Sequence, residues 1–221
     1  TLHADAKARV EEAMLLAKIG KPFDIDAIED DIYGELSFDQ RKQSVLKTFD
    51  QQGRVMYCSS YSKTIAPGLR TGWCIPGRRL ETVKKLQMFN SLSGTSLTQC
   101  ALASYLQHGH YDKHLRNLRR VTQSSMRSIR AAVDTHFPAE TLTSNPIGGS
   151  VLWVHLPKQV SASQLKALAE AQDISIMPGD IFSNTDHFAN AIRLNCALTW
   201  SQPIEQGLKT LGQLACRLCA A

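Results

Sequence analysis

Ser60-Tyr61-Ser62-Lys63-Thr64-Ile65-Ala66-Pro67-Gly68-Leu69-Arg70-Thr71-Gly72-Trp73 is the stretch whose reading decides the fold. A lone lysine is nearly always a solvated surface charge. Lys63 has other surroundings: an apolar strand pattern directly before it, the small hydroxylated Ser60 and Ser62 beside it, a Pro67-Gly68 turn after it, and then Arg70. An amine forms a Schiff base with an aldehyde once it is partly deprotonated, and burial lowers a lysine's pKa in that direction. Ser60 and Arg70 are placed to hold a phosphate, Arg70 through a planar fork matched to the oxygens. The run suits a covalent aldehyde ligand that carries a phosphate.

On either side lie short apolar segments. Arg54 to Ser59 reads as a strand that ends just before the lysine run, and Gly72 to Ile75 as a third strand closed by Pro76-Gly77. Further upstream, residues 4–19 carry Val10, Met14 and Leu15 on one helical face, stopped by Gly20 and Pro22. Phe23 to Ile28 alternates apolar and acidic residues and reads as a strand running into Glu29-Asp30-Asp31-Ile32-Tyr33-Gly34-Glu35. A carboxylate at Asp30 and a phenol at Tyr33 can address two sides of one heteroaromatic ring, the first pairing with a pyridinium nitrogen and the second donating to a ring oxygen. Taken alone, the two are better explained as an acidic turn after a strand.

From Arg78 the pattern changes. Residues 78–91 and 96–107 read as helices, and residues 112–136 as a long amphipathic helix with Leu115, Leu118, Val121, Met126, Ile129 and Val133 inward. After Pro146-Ile147-Gly148-Gly149 come a strand from Ser150 to Leu156, a helix opened by Ser161 and Gln164, a strand from Ile174 to Met177 and a Pro178-Gly179-Asp180 turn. A strand from Ala191 to Cys196 and a last helix opened by Ser201 and Pro203 complete the chain. Arg193 stands inside that otherwise apolar strand; a charge there needs a partner, and a buried salt bridge and an anionic ligand fit equally well. The chain is expected to divide into a piece of an open α/β sheet over residues 1–77, connecting helices over 78–110, and an α+β unit over 111–221.

Composition excludes little beyond the extremes. The chain has 221 residues, 43% hydrophobic and 20% charged, enough for a buried core. The net charge of +5 includes a cluster from Lys113 to Arg130 that reads as a solvated helix face ahead of a nucleic-acid contact. No apolar run is long enough for a membrane span, and no signal-peptide pattern opens the sequence. Free buried thiols explain the six cysteines; Cys216 and Cys219 have C-x-x-C spacing but end a helical pattern with no second pair. The seven histidines show no metal-ligand spacing on a shared face.

Taken together, these residues resemble the fold-type I, pyridoxal-phosphate-dependent aminotransferases of class I/II. The likeness is nearest to the C-terminal aminotransferase-like domain of MocR-type transcriptional regulators in the GntR family. It covers nearly the whole chain and is strongest at Glu29 to Leu36 and Tyr57 to Trp73, with further matches at Pro146 to Trp153, Ile192 to Asn195 and Tyr111 to Arg116. The resemblance implies pyridoxal 5'-phosphate as cofactor, held as an internal aldimine on Lys63, which would also serve as the base that moves the proton. It implies Asp30 on the ring nitrogen, Tyr33 on the phenolic oxygen, Ser60 and Arg70 on the phosphate, and Arg193 on a substrate carboxylate.

The same resemblance implies departures. The family's catalytic domain is roughly twice as long as the matching region, so the chain is expected to be its C-terminal part. That part would hold three adjacent strands of a mixed large-domain sheet and a complete small α+β domain. The Asp30 and Lys63 strands would be parallel, with the Gly72 strand antiparallel. The glycine-rich phosphate-capping helix start, the ring-stacking aromatic, the asparagine at the phenolic oxygen and a winged-helix DNA-binding domain would lie outside it. These residues alone are then expected to be inactive, to bind cofactor weakly and to self-associate through the uncovered sheet. The expected whole is a cytoplasmic homodimer that binds an amino acid or amine, touches DNA only through the upstream domain and has no membrane contact. The alternative is a free-standing aminotransferase that moves an amino group between an amino acid and a 2-oxo acid.

Overall fold

The computed structural model of the chain describes residues 26–39 and 44–220. The helix expected over residues 4–19 and the opening of the strand expected from Phe23 lie outside the described residues. The chain divides into two units. The first holds the described residues up to Arg119 together with Ile147–Gly149; the second holds Arg120–Pro146 and the residues from Ser150 on.

The first unit is built on β1 (Ala27–Asp30), β2 (Val55–Ser60) and β3 (Gly72–Ile75), hydrogen-bonded in that order. β1 and β2 are parallel, with Asp30 opposite Cys58. β3 runs antiparallel to β2, with Cys58 opposite Cys74 and Ser60 opposite Gly72. These are the strand directions expected from the sequence. β1, however, continues past the expected end at Ile28 through Glu29 and Asp30. Glu29 can stay in the sheet because its two carboxylate oxygens accept the backbone N–H groups of Leu46 and Lys47, at 2.9 and 3.0 Å. The entry to β2 is tied in a similar way. The Asp50 carboxylate accepts the N–H groups of Arg54 and Val55, both at 2.9 Å, and the Lys47 ammonium at 2.8 Å.

After β3 come α1 (Leu80–Ser91) and α2 (Ser96–Gln107). α1 has no buried residue, and α2 buries only Leu102. Phe89 is 78% exposed and Leu92 83%. Parallel strands are ordinarily covered on both faces; here Ile28 on one face, and Trp73 and Ile75 on the other, are open. Gly109, with φ +70°, breaks the chain between α2 and α3 (His110–His136). α3 starts at His110, ahead of the expected residue 112, and buries Leu115, Met126, Ile129 and Val133 as the periodicity required.

The segment Ile147–Gly149 belongs with the first unit. Ser37 and Gly148 form an isolated bridge, Phe38 N–H donates to the Ile147 carbonyl at 2.8 Å, and Gly149 N–H donates to the Leu36 carbonyl at 3.0 Å. A Cβ on Gly148 would lie 2.7 Å from Ser37 Cα, so only glycine allows this approach.

The second unit is an antiparallel sheet in the order β4 (Leu142–Thr143), β5 (Val151–His155), β7 (Ala191–Asn195), β6 (Met177–Pro178). Helices α4 (Ala162–Glu170) and α5 (Gln202–Ala220) belong to the same unit. Leu152, Val154, Leu165, Ile192 and Leu211 are fully buried; each contributes about 2 kcal/mol over its exposed state. Ser161 caps α4, its Oγ accepting the Gln164 N–H at 3.3 Å, as the capping pattern implies. β6 is shorter and later than the Ile174 to Met177 strand expected. Ile174 N–H donates to the Ala169 carbonyl at 3.0 Å across a left-handed Asp173 (φ 57°), so it closes the end of α4 and is lost to the sheet. The free thiols expected to be buried are mostly not: of the six cysteines only Cys196 is buried, Cys100 and Cys216 are exposed and the others half-buried, Cys58, Cys74 and Cys100 because α2 and the three-stranded sheet are open to solvent. Among the described residues no helix is long and apolar enough to cross a membrane.

Candidate active site

Parallel β1 and β2 end side by side, and the loops that leave their carboxyl ends carry most of the residues singled out in the sequence. Ligands of open α/β sheets bind outside the carboxyl ends of parallel strands. Asp30 is the last residue of β1 and Ser60 the last of β2. The alternation of strand side chains and the pairing of Asp30 with Cys58 put Asp30, Cys58 and Ser60 on one face of the sheet. Asp30 is exposed and Ser60 half-buried.

The lysine loop is a closed structure. Tyr61 N–H donates to the Thr71 carbonyl at 3.0 Å and ties its two ends. Inside, Ile65 and Ala66 N–H groups both donate to the Tyr61 carbonyl, at 2.8 and 3.2 Å. Ser60 Oγ accepts the Ser62 N–H at 3.3 Å, which turns the chain out of β2 one step before Lys63. Pro67–Leu69 makes one tight helical turn, and Arg70 follows in the left-handed conformation (φ 48°, ψ 34°). Lys63 and Arg70 are both exposed, and among the described residues neither has a carboxylate partner. The burial expected around Lys63 is therefore not supplied by the described residues.

The start of α3 braces this loop within the first unit. His114 Nε2 donates to the Thr64 carbonyl at 2.7 Å, and the rings of Tyr61 and Tyr111 meet edge-on at 6.1 Å. Thr64 is buried, and burial pushes the Tyr111 phenol up from its ordinary pKa. Arg119, further along α3, donates to the Glu35 carbonyl at 2.6 Å and reaches its carboxylate at 3.3 Å.

Tyr33 stands in the turn after β1, and Asp31 fixes that turn. Asp31 N–H donates to the Cys58 carbonyl at 2.9 Å and continues the parallel ladder. Its carbonyl accepts from Ser59 Oγ at 3.0 Å, and its carboxylate accepts from the Tyr57 hydroxyl at 2.7 Å. Burial, with the bond to Asp31, holds the Tyr57 phenol well above its usual pKa. A Cβ on Gly34 would run into the Asp31 carboxylate, so a larger residue there must displace that carboxylate from its place. Sequence reasoning passed over this clamp, although Tyr57 and Ser59 stand two apart on one strand face, the spacing such a clamp requires.

Arg193 lies in the second unit, on β7 opposite Trp153 of β5 and Met177 of β6. Its guanidinium carbon sits 4.9 Å from the centroid of the Phe182 ring. Trp153 meets Phe182 and Phe188 edge-on at 5.6 and 5.2 Å, so Arg193 stands over an aromatic floor. Among the described residues no carboxylate pairs with it, which leaves the salt-bridge alternative without a partner.

Comparison with known proteins gives a consistent picture. Residues 11–211 match the family described as aminotransferase class I and II. An uncharacterized HTH-type transcriptional regulator of Escherichia coli, YjiR, is 36% identical over 88% of this chain and 41% of its own length. A second from the same organism, YdcR, is 36% identical over 92% of this chain and 43% of its own. The chain thus spans less than half the length of these relatives. Among solved structures, LysN, the alpha-aminoadipate aminotransferase of Thermus thermophilus complexed with N-(5'-phosphopyridoxyl)-L-leucine, superimposes with a TM-score of 0.88. It is 26% identical, and the match covers 96% of this chain and 55% of LysN.

Proposed function

This chain belongs to the aminotransferase class I and II family, and from that premise we propose that it is the pyridoxal-phosphate-binding, aminotransferase-like domain of a MocR-type transcriptional regulator of the GntR family. The observation that carries the reading is the lysine loop. Lys63 and Arg70, neither with a carboxylate partner among the described residues, leave β2 beside Asp30 at the end of β1. The donor set matches what the cofactor presents: an amine for the aldehyde, a hydroxyl and a guanidinium for the phosphate, a carboxylate for the ring nitrogen and a phenol for the ring oxygen.

When bound, the cofactor supplies an electron sink for the carbon next to the amino nitrogen. The chain's own groups do the rest. Lys63 Nζ would hold the cofactor through its aldehyde and would serve as the base that takes and returns the proton. Asp30 keeps the ring nitrogen protonated, and Tyr33 donates to the phenolic oxygen. Ser60 and Arg70 hold the phosphate. Arg193 receives the amino acid carboxylate through a two-pronged pair, steadied by the aromatic floor beneath it. In this reading the whole protein is a cytoplasmic homodimer, and DNA is contacted by residues upstream of this chain. The 36% identity to two HTH-type regulators supports the regulator over a second reading, a free-standing aminotransferase, which the likeness to LysN supports.

The test uses the full-length protein. Addition of pyridoxal phosphate is expected to give a visible absorbance band that is absent in Lys63→Ala, and borohydride reduction followed by peptide mass analysis is expected to place the adduct on Lys63. An adduct on another lysine, or no uptake, overturns the proposal. Turnover of amino acid and 2-oxo acid pairs without any cofactor-dependent change in DNA binding would favour the second reading.

A further inference from the structure

Cys58 and Cys74 stand directly opposite each other on antiparallel β2 and β3, with their sulfur atoms 3.5 Å apart. The Tyr61-to-Thr71 hydrogen bond fixes the phase of the ladder: the Tyr61 N–H donates to the Thr71 carbonyl, which puts these two residues at a hydrogen-bonded position. Stepping down the strands, Ser59 and Trp73 are again such a pair, and Cys58 and Cys74 fall at the non-hydrogen-bonded position between. There Cα atoms lie about 4.5 Å apart, within the range of roughly 4.4–6.8 Å that a disulfide spans. The two thiols are thus close enough to join without moving the strands.

From this we propose that Cys58 and Cys74 form an oxidation site, at which a peroxide-class oxidant joins the two thiols into one reversible disulfide across the root of the Lys63 loop. The step balances simply. One sulfur, as thiolate, attacks an oxygen of hydrogen peroxide and becomes a sulfenic acid, releasing hydroxide that takes up a proton. The second sulfur then displaces the sulfenic hydroxyl, which leaves as water, and the S–S bond forms. Two thiols lose two hydrogens and two electrons, and one peroxide becomes two waters. A reducing thiol reverses the change.

The position gives the bond a consequence. Residues 59–73 lie within the ring it closes, and these include Ser60, Lys63 and Arg70. Asp30 pairs with Cys58 on the same face, so the bond forms beside the carboxylate assigned to the cofactor ring. Both cysteines are half-buried, within reach of a small oxidant. Burial, the Cys74 thiol and the Asp30 carboxylate hold Cys58 up at about 11, so Cys58 rests as a thiol near neutrality and reacts faster as pH rises. An effect on cofactor binding rests on the function proposed above; formation of the disulfide does not.

The experiment treats the full-length protein with hydrogen peroxide, blocks free thiols and maps the digest by mass under non-reducing conditions. The expected result is a single linked species joining the Cys58 and Cys74 peptides, lighter by two hydrogens, cleaved by dithiothreitol and absent from Cys58→Ser and Cys74→Ser. Amide exchange from Tyr61 to Thr71 is expected to slow in the oxidised form. Sulfinic or sulfonic acid at either residue without a link, links from either to Cys100 or Cys216, or oxidation of exposed Cys100 while this pair stays reduced would each overturn the proposal. The mapping needs no cofactor, so a linked pair in a protein that takes up no pyridoxal phosphate would sink the proposed function and leave this inference standing.

Discussion

The Tyr57 hydroxyl donates to the Asp31 carboxylate at 2.7 Å, and this bond holds the turn that carries Tyr33 against β2. Tyr57→Phe removes the donor and leaves a carboxylate short of a partner, at an expected cost of about 1.5 kcal/mol in denaturant unfolding. Pyridoxal phosphate uptake by the full-length protein is expected to weaken with it, although Tyr57 is assigned no contact with the cofactor. Unchanged stability and unchanged uptake would show that the clamp is idle.

Gly34 and Asp31 are expected to be coupled. Gly34→Ala places a methyl group against the Asp31 carboxylate and is expected to cost roughly 1–2 kcal/mol. In an Asp31→Ala background the obstacle is gone, and the same substitution is expected to cost little. A double-mutant cycle by thermal unfolding measures the difference; simple additivity would contradict the packing described.

Arg70 separates stability from binding. Its left-handed backbone is strained for any residue with a Cβ, by about 1 kcal/mol. Arg70→Gly is expected to leave stability equal or slightly higher while phosphate affinity falls, as seen in titrations of the full-length protein with pyridoxal phosphate. A variant that loses stability and binding together would mean that the guanidinium holds the loop itself.

The acid side of the stability profile is expected to follow Asp50. Although burial opposes ionisation, the Lys47 ammonium and the backbone N–H groups of Val55, Arg54 and Gln52 together hold its carboxyl well below the ordinary carboxylate range. A depressed folded-state pKa gives stability that is fully present above the unfolded value, about 4, and is lost as pH falls below it toward the folded value. Asp50→Ala is expected to cost about 2–3 kcal/mol at neutral pH and to flatten the decline measured by denaturation below pH 4 or so. An equally steep decline in the variant would assign it to other groups.

Purified as these 221 residues, the chain is expected to self-associate. Ile28, Phe89, Leu92 and Leu97 are each more than two-thirds open to solvent, a density of exposed apolar surface that monomers rarely carry. Sedimentation velocity over a range of concentrations checks this; one sharp monomer boundary throughout would contradict it.

Much of the fold was legible because local chemistry is enough to write it. Gly72–Ile75 could be read to the residue, since a loop closes before it and Pro76-Gly77 after it. The long amphipathic helix announced itself by its buried face. The lysine loop was legible because Pro, Gly and small hydroxyl residues name a turn wherever they occur. What could not be read depended on partners distant in sequence. Glu29 and Asp30 looked like a turn because the N–H groups that satisfy Glu29 belong to Leu46 and Lys47. Ile174 looked like strand because its use in closing α4 depends on a left-handed Asp173, a conformation any sequence rule assigns first to glycine. Asp31 was hidden by its neighbours: the acidic run drew notice to Asp30, while the residue that fixes the turn is the next one.

Ile147–Gly149 belongs with the first unit, although the residues on either side belong with the second. Neither unit is therefore a single uninterrupted stretch of the gene. A chimera made by joining two homologous genes once, anywhere between Phe38 and Ile147, takes Leu36 and Ser37 from one parent and Gly148 from the other. Its offspring fold only if the second parent also has a residue without a Cβ at that place, where the backbones pass too closely for any other. Compatibility at this three-residue stitch is expected to limit which relatives can exchange halves.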